Sequence, residues 1–231
     1  MSKKIAILYY SQSGQLKKIV GNFSKPFIEA GSSVELINIK PRSDFPFPWT
    51  SKAFFNVMPE SVLGLATELE PLNFNHSSYD LIVLAYQPWY LSPSIPTTSA
   101  LHDPEFKKRL GNTPVITLIG ARNMWINAQE RVKKLLQSAG ANLVGNIALT
   151  DKHPNLISAI TIQYWMFTGK KDKLLGIFPK PGISDEHIGA AHLFGKKVSA
   201  ALLNGKWGDL QKDLVSMNAV EVKSSLMFIE S

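Results

Sequence analysis

Cysteine is absent from the 231 residues, and that absence removes several chemistries at once. Disulfide frameworks, thiolate-bound zinc, iron–sulfur clusters and thiol nucleophiles all require it. Acyl transfer through an enzyme thioester is excluded with them. Also missing is a Gly-x-Gly-x-x-Gly run, the fingerprint of the usual dinucleotide-binding turn. No apolar stretch approaches the ~18 residues that a membrane span needs, so no transmembrane segment is expected. Residues 1–4 lead straight into a short apolar run without a hydrophobic segment and small-residue cleavage site, which reads as cytoplasmic. His187 and His192 lie five apart on a helical pattern, project from different sides, and give no metal site. Lysine and arginine exceed acids by 25 to 18, for a net charge of +7. The basic pairs (Lys17-Lys18, Lys133-Lys134, Lys170-Lys171, Lys196-Lys197 and the trio 107–109) are scattered, so they read as solvated helix faces and no nucleic-acid partner is expected.

What is present alternates regularly. Residues 4–10 are a β-rich apolar run, followed by Ser11-Gln12-Ser13-Gly14-Gln15 and a helical pattern over 16–30. Its apolar face is Leu16, Ile19, Val20, Phe23 and Phe27. Further strands are expected at 33–39, 79–86, 114–119 and 142–149, and helices at 104–110, 127–139 and 184–204. Uninterrupted apolar strands alternating with helices indicate a parallel sheet buried on both faces. The expected fold class is therefore a doubly wound α/β domain with five parallel strands over residues 1–205. Residues 206–231 read as a tail, mobile or packed on a partner. Two stretches exceed the minimal pattern. The insertion 42–78 after the second strand carries Phe45, Phe47, Trp49, Phe54 and Phe55; it reads either as a lid that packs its own small core or as a segment of which part covers a ligand. Residues 155–167 form an apolar helix that suits a buried element, one wall of a greasy pocket, or an interface in a homodimer.

Ligands of open parallel sheets bind beyond the carboxyl ends of the strands, and three loops belong there. Ser11, Ser13, Gly14, Gln15 and Leu16 form a strand-to-helix turn whose amides and hydroxyls suit a phosphate monoester; an ordinary helix cap accounts for the same residues. Gln87, Pro88, Trp89 and Tyr90 open a stiff aromatic loop. Gly120, Ala121, Arg122, Asn123 and Trp125 offer amides and a guanidinium to a heterocycle edge, with Trp125 covering it. A phosphate cradle beside two aromatic or amide-rich loops suits flavin mononucleotide (FMN). Gly189 to Lys196 superficially suggests a nucleoside-triphosphate loop, but it has one residue too many and no following Ser or Thr. It reads as a helix face.

The run Ile5-Ala-Ile-Leu-Tyr-Tyr-Ser11-Gln-Ser13-Gly14-Gln15-Leu16 resembles the phosphate loop of flavodoxin-like proteins. Leu16 stands where flavodoxins commonly place a threonine. Asn127-Ala128-Gln129-Glu130 at a helix start resembles the matching loop of flavodoxin-like quinone reductases. Over residues 4–205 a narrower likeness holds. Phe45-Pro-Phe-Pro-Trp49-Thr50, Met58-Pro-Glu-Ser61, residues 86–98, Gly120-Ala-Arg-Asn-Met-Trp125 and Gly176-Ile-Phe-Pro179 resemble the dialkylresorcinol condensing enzyme family of aryl-polyene and flexirubin-type pigment pathways. Decarboxylative condensation needs a cysteine, and this chain has none. The resemblance therefore implies that a partner ketosynthase closes the ring. This chain would then dehydrogenate a hydrophobic 2,5-dialkyl-cyclohexane-1,3-dione to the resorcinol, which is flavin chemistry. Arg122, Tyr90 and His153 are the residues expected near that substrate. A generic NAD(P)H-dependent FMN or quinone reductase, and a non-catalytic scaffold, are the alternatives.

Overall fold

The computed structural model describes residues 2–222. The chain begins β1 (Lys4–Tyr9), α1 (Gln15–Glu29), β2 (Ser33–Asn38), α2 (Ser51–Leu63) and β3 (Leu81–Tyr86). A small hairpin, β4 (Pro88–Trp89) and β5 (Ser92–Pro93), precedes α3 (Ile95–His102) and α4 (Pro104–Leu110). Then follow β6 (Pro114–Ala121), α5 (Ile126–Ser138), β7 (Asn142–Thr150), α6 (Asn155–Thr168), α7 (Asp185–Asn204) and α8 (Leu210–Ser216). Five strands pair in the order β2-β1-β3-β6-β7, every pairing parallel. This is the doubly wound arrangement read from the sequence.

Alternation along each strand divides the interior into two cores. Ile5, Ile7 and Tyr9 face α1, α7 and α8, whereas Ala6 and Leu8 face α3, α4 and α5. All five anticipated apolar residues of α1 are buried. A hydrogen-bonded chain crosses the second core: Tyr86 Oη donates to Gln129 Oε1 at 2.8 Å. Gln129 Nε2 donates to Thr117 Oγ1 at 3.0 Å, and Thr117 donates to Asn146 Oδ1 at 2.9 Å. Every buried polar atom in that chain is satisfied, as burial requires.

Two expectations are corrected. The insertion does not pack a small core of its own. Phe45, Trp49 and Phe54 join the main core, with Trp49 and Phe45 stacking edge-on against Trp89 at 5.4 and 5.1 Å. Nor is the chain beyond Gly205 a mobile tail or one held by a partner, as far as residue 222. Leu210, Leu214 and Ala219 are buried on this chain's own sheet. The outward amides of the edge strand β7 donate to this segment, Asn146 N to Gln211 Oε1 (2.6 Å) and Ala148 N to the Ala219 carbonyl (2.7 Å). Covering a sheet edge satisfies N–H groups that otherwise invite foreign strands. Residues 223–231 lie outside the described residues.

Candidate functional site

The carboxyl ends of β1, β3 and β6 converge on a cavity of about 260 Å³. Ser13, Gln15 and Leu16 form one wall, Gln87, Pro88, Trp89 and Tyr90 another, and Gly120, Ala121 and Arg122 a third. The three loops thus meet as the topology requires. At the first, Gly14 precedes α1 with φ +80°, a region that side chains with a Cβ disfavour. A Cβ there would meet no atom within 4 Å, so the backbone angle and not crowding explains this glycine. Ser11 stands behind the loop, its hydroxyl accepting from Lys17 N at 3.1 Å. Leu16 is buried and lies against Gly120, where a Cβ would come within 3.3 Å of its Cδ1. Gln15 holds the 183 backbone from both sides, donating to the Ile183 carbonyl (3.1 Å) and accepting from Ile183 N (3.3 Å).

Cations gather beside this loop. Lys171 lies 5.3 Å over the Trp165 ring. Burial pulls its pKa down, and Lys18 and Lys180 add to this against the opposing Asp185. The cluster is a ready counter-charge for an anion at the α1 N-terminus.

The second loop is more constrained than its sequence suggests. Tyr90 and Leu91 turn the β4–β5 hairpin with φ 48° and 61°, conformations that bulky residues hold only under tertiary constraint. The constraint is visible: Tyr90 Oη donates to the Phe54 carbonyl (2.7 Å), Ser61 to the Trp89 carbonyl (3.1 Å), and Arg131 to Ser92 Oγ (2.9 Å). Burial raises the Tyr90 phenol above its ordinary range.

At the third loop, Arg122 donates to Asn155 Oδ1 at 2.9 Å and to its carbonyl at 3.2 Å. Burial lowers its pKa while Asp151 opposes the shift. Asp151 is buried, accepting from His153 N (2.9 Å) and Ser158 Oγ (2.8 Å). Asn123 donates to Asn155 Oδ1 at 2.5 Å, yet its own Oδ1 is buried without a partner.

Two expected residues are displaced from the expected place. Trp125 does not cover the cavity; it is 5% exposed and packs in the core at the start of α5. His153 does not reach the cavity wall. Ser11, Gly14 and Asn123 also stand behind that wall rather than on it. The cover comes from the two additions to the minimal fold: Phe47, Trp49 and Phe54 on one side, Ile162, Trp165 and Met166 of α6 on the other. Trp49 N donates to the Met166 carbonyl at 2.7 Å, tying the two together. Gln12, which lies within the first loop without having been singled out as a ligand residue, and Gly182, which was not anticipated, also line the cavity. Gln12 Nε2 donates to the Pro46 carbonyl, a link between distant segments that no local pattern carries. Gly182 had one signal, a Pro-Gly turn.

No family model and no curated protein matches the chain. Solved structures do. A flavoprotein from Lactobacillus acidophilus NCFM, crystallised in complex with FMN, is 21% identical with a TM-score of 0.51; the match covers 64% of this chain and 93% of that one. A second solved protein, from Bacteroides uniformis ATCC 8492, is 14% identical with a TM-score of 0.50 and coverages of 72% and 99%. A flavodoxin from the domain Archaea is 10% identical with a TM-score of 0.48, covering 87% and 99%. The strand order, which is 2-1-3-4-5 along the main sheet, and the first two likenesses define the class of architecture: this chain has a flavodoxin-like α/β fold.

Proposed function

We propose that the chain is an FMN-dependent dehydrogenase that aromatises a hydrophobic 2,5-dialkyl-cyclohexane-1,3-dione, made by a partner ketosynthase in the cytoplasm, to a dialkylresorcinol. One observation carries the reading: a single cavity joins a phosphate-type turn, a guanidinium and an apolar cover of Trp49, Phe54, Ile162, Trp165 and Met166. The residues present fit FMN. Ser13 and Gln15 at the start of α1, with Lys18, Lys171 and Lys180 nearby, suit the phosphate. Gln87, Gly120 and Ala121 on the facing walls suit the ring edge. Bound there, FMN supplies a hydride acceptor.

The remaining work falls to side chains. Aromatisation removes a hydride and a proton from the ring, and the proton between the two carbonyls is the acidic one. Arg122 remains a cation at neutral pH and stabilises the resulting enolate oxygen. Tyr90, with its phenol held protonated and fixed on Phe54, orients the ring. The aromatic and aliphatic cover receives the alkyl chains and excludes water.

The test is anaerobic mixing of FMN-loaded protein with the diketone, following loss of flavin absorbance and appearance of resorcinol together. Both are expected. If neither occurs, the aromatase reading fails. NAD(P)H consumption without diketone would favour a general reductase, and failure to retain any flavin a scaffold.

A further inference from the structure

We infer that the outer face of α2, α6 and the adjoining 174–177 turn docks on an anionic lipid bilayer. Helix α6 contains no charged residue in its 14 positions. One side is consumed by the fold, with Ser158, Thr161 and Trp165 buried. The opposite side carries Leu156, Ile160 and Phe167, which at 100° per residue share one stripe and are all exposed, Leu156 by 74%. Uncharged Gln163 is exposed at the edge of this stripe; an apolar helix face is ordinarily covered, and this one is not.

Helix α2 repeats the arrangement. Val57 and Ser61 are buried, while Phe55, Met58 and Val62 form an exposed stripe at i, i+3 and i+7. Its one acid, Glu60, projects from the other side. The two stripes are continuous: the Phe54 ring lies 5.4 Å from both Phe55 and Phe167. Beyond α6, Leu175 and Ile177 are 78% and 79% exposed. Leu175 holds φ +53° with its side chain in water, a conformation that its own packing does nothing to stabilise.

Charge selects the occupant. Lys170 and Lys173 are exposed between Phe167 and Leu175, and Lys52 is exposed at the start of α2. Among the described residues none of the three forms an ion pair. The nearby acid Asp172 accepts from Tyr164 Oη. A second copy of this chain would bring the same lysines, and another +7, face to face. An anionic bilayer instead offers attraction for the lysines and an apolar phase for the stripe. No helix among the described residues is long and apolar enough to cross a membrane, so the contact is peripheral. This docking does not rest on the chemistry proposed above, and its failure would leave that chemistry untouched.

The experiment is sedimentation of the purified full chain with sucrose-loaded vesicles of phosphatidylcholine, with and without phosphatidylglycerol. The wild type is expected to pellet with the phosphatidylglycerol vesicles, to remain in the supernatant with phosphatidylcholine alone, and to be partly released by high salt. Leu156→Ser/Ile160→Ser and, separately, Lys170→Glu/Lys173→Glu are expected to fall to the lipid-free level with unchanged circular dichroism. If the apolar variant fails to fold, the lysine variant, entirely at the surface, decides. Wild type left in the supernatant with phosphatidylglycerol overturns the inference, as does pelleting that the variants retain or that neutral vesicles equal. So does a concentration-dependent dimer in lipid-free sedimentation equilibrium that Leu156→Ser/Ile160→Ser abolishes, which would assign the face to a second copy.

Discussion

Two residues in the loops beside the cavity are held by different physics and fail differently. Gly14 is there for its φ of +80°. Gly14→Val forces a β-branched residue into the left-handed region at a cost of about 1–2 kcal/mol. It also displaces the amides that begin α1. We expect a lower urea midpoint of that size and a flavin-to-protein absorbance ratio well below wild type; unchanged flavin occupancy would remove this loop from the site. Asp151 matters through its burial. It satisfies the Ser158 hydroxyl and the His153 amide and sits beside Arg122. Asp151→Ala orphans both donors and leaves a half-buried guanidinium without its counter-charge, so a loss of roughly 2–4 kcal/mol is expected. Asp151→Asn, which keeps a carbonyl acceptor for one donor and turns an NH2 toward the other, where the Ser158 hydroxyl can accept from it, should lose less in the same denaturation experiment. Equal losses would show that the charge beside Arg122, not the hydrogen bonding, carries the effect.

At the scale of elements, the tightest contact is between α1 and α7. A Cβ on Gly195 would stand 2.1 Å from the Phe23 carbonyl oxygen, so Gly195→Ala must separate two packed helices. The expected cost is about 3 kcal/mol, at the upper end for overpacking; a stable variant would show that α7 can slide. The sequence motif at Gly189 to Lys196 therefore has a packing explanation. The sheet was legible because its central strands are buried on both faces and read as apolar runs. The positions of Gln87–Tyr90 and Gly120–Arg122 followed from topology alone. Other features were hidden because non-local contacts impose them. Tyr90-Leu91 lacks the Asn-Gly type of turn signal and is bent by Phe54, Ser61 and Arg131. Helix α8 has only seven residues, too few for periodicity to show, and exists because β7 has an edge to cover. Trp125 sits in a site loop by sequence and in the core by packing. Gln15 gives a direct probe of such contacts. Gln15→Ala removes both bonds to Ile183, and faster amide hydrogen exchange at Ile183 is expected while the β1 amides stay protected.

Over the whole molecule, the six tyrosines share one property: all of them titrate above the ordinary phenol value of 10.0. Burial is the leading cause for Tyr9, Tyr10, Tyr86 and Tyr90. Tyr79 is pushed up to about 12, first by burial and then by its hydrogen bond to Glu35. Tyr164 is raised chiefly by its bond to Asp172. The groups are spread across the fold, Tyr9 and Tyr10 at the end of β1, Tyr79 and Tyr86 around β3, Tyr90 in the hairpin and Tyr164 on α6, so the consequence belongs to no single element. A raised phenol keeps its proton in the folded chain at a pH where the unfolded chain has lost it. The unfolded state then binds fewer protons, and stability falls as pH rises. The tyrosine contribution is fully present below about pH 10 and is withdrawn as pH climbs through the folded values. Denaturant midpoints measured from pH 8 to 12 should be flat with respect to these groups at first, then fall increasingly steeply above 10. In parallel, phenolate absorbance should lag behind that of the urea-unfolded chain and rise together with loss of the circular dichroism signal. Phenolate absorbance that follows the unfolded chain's curve while the dichroism stays native would show these phenols open to water, and would remove burial as the cause of their raised pKa values.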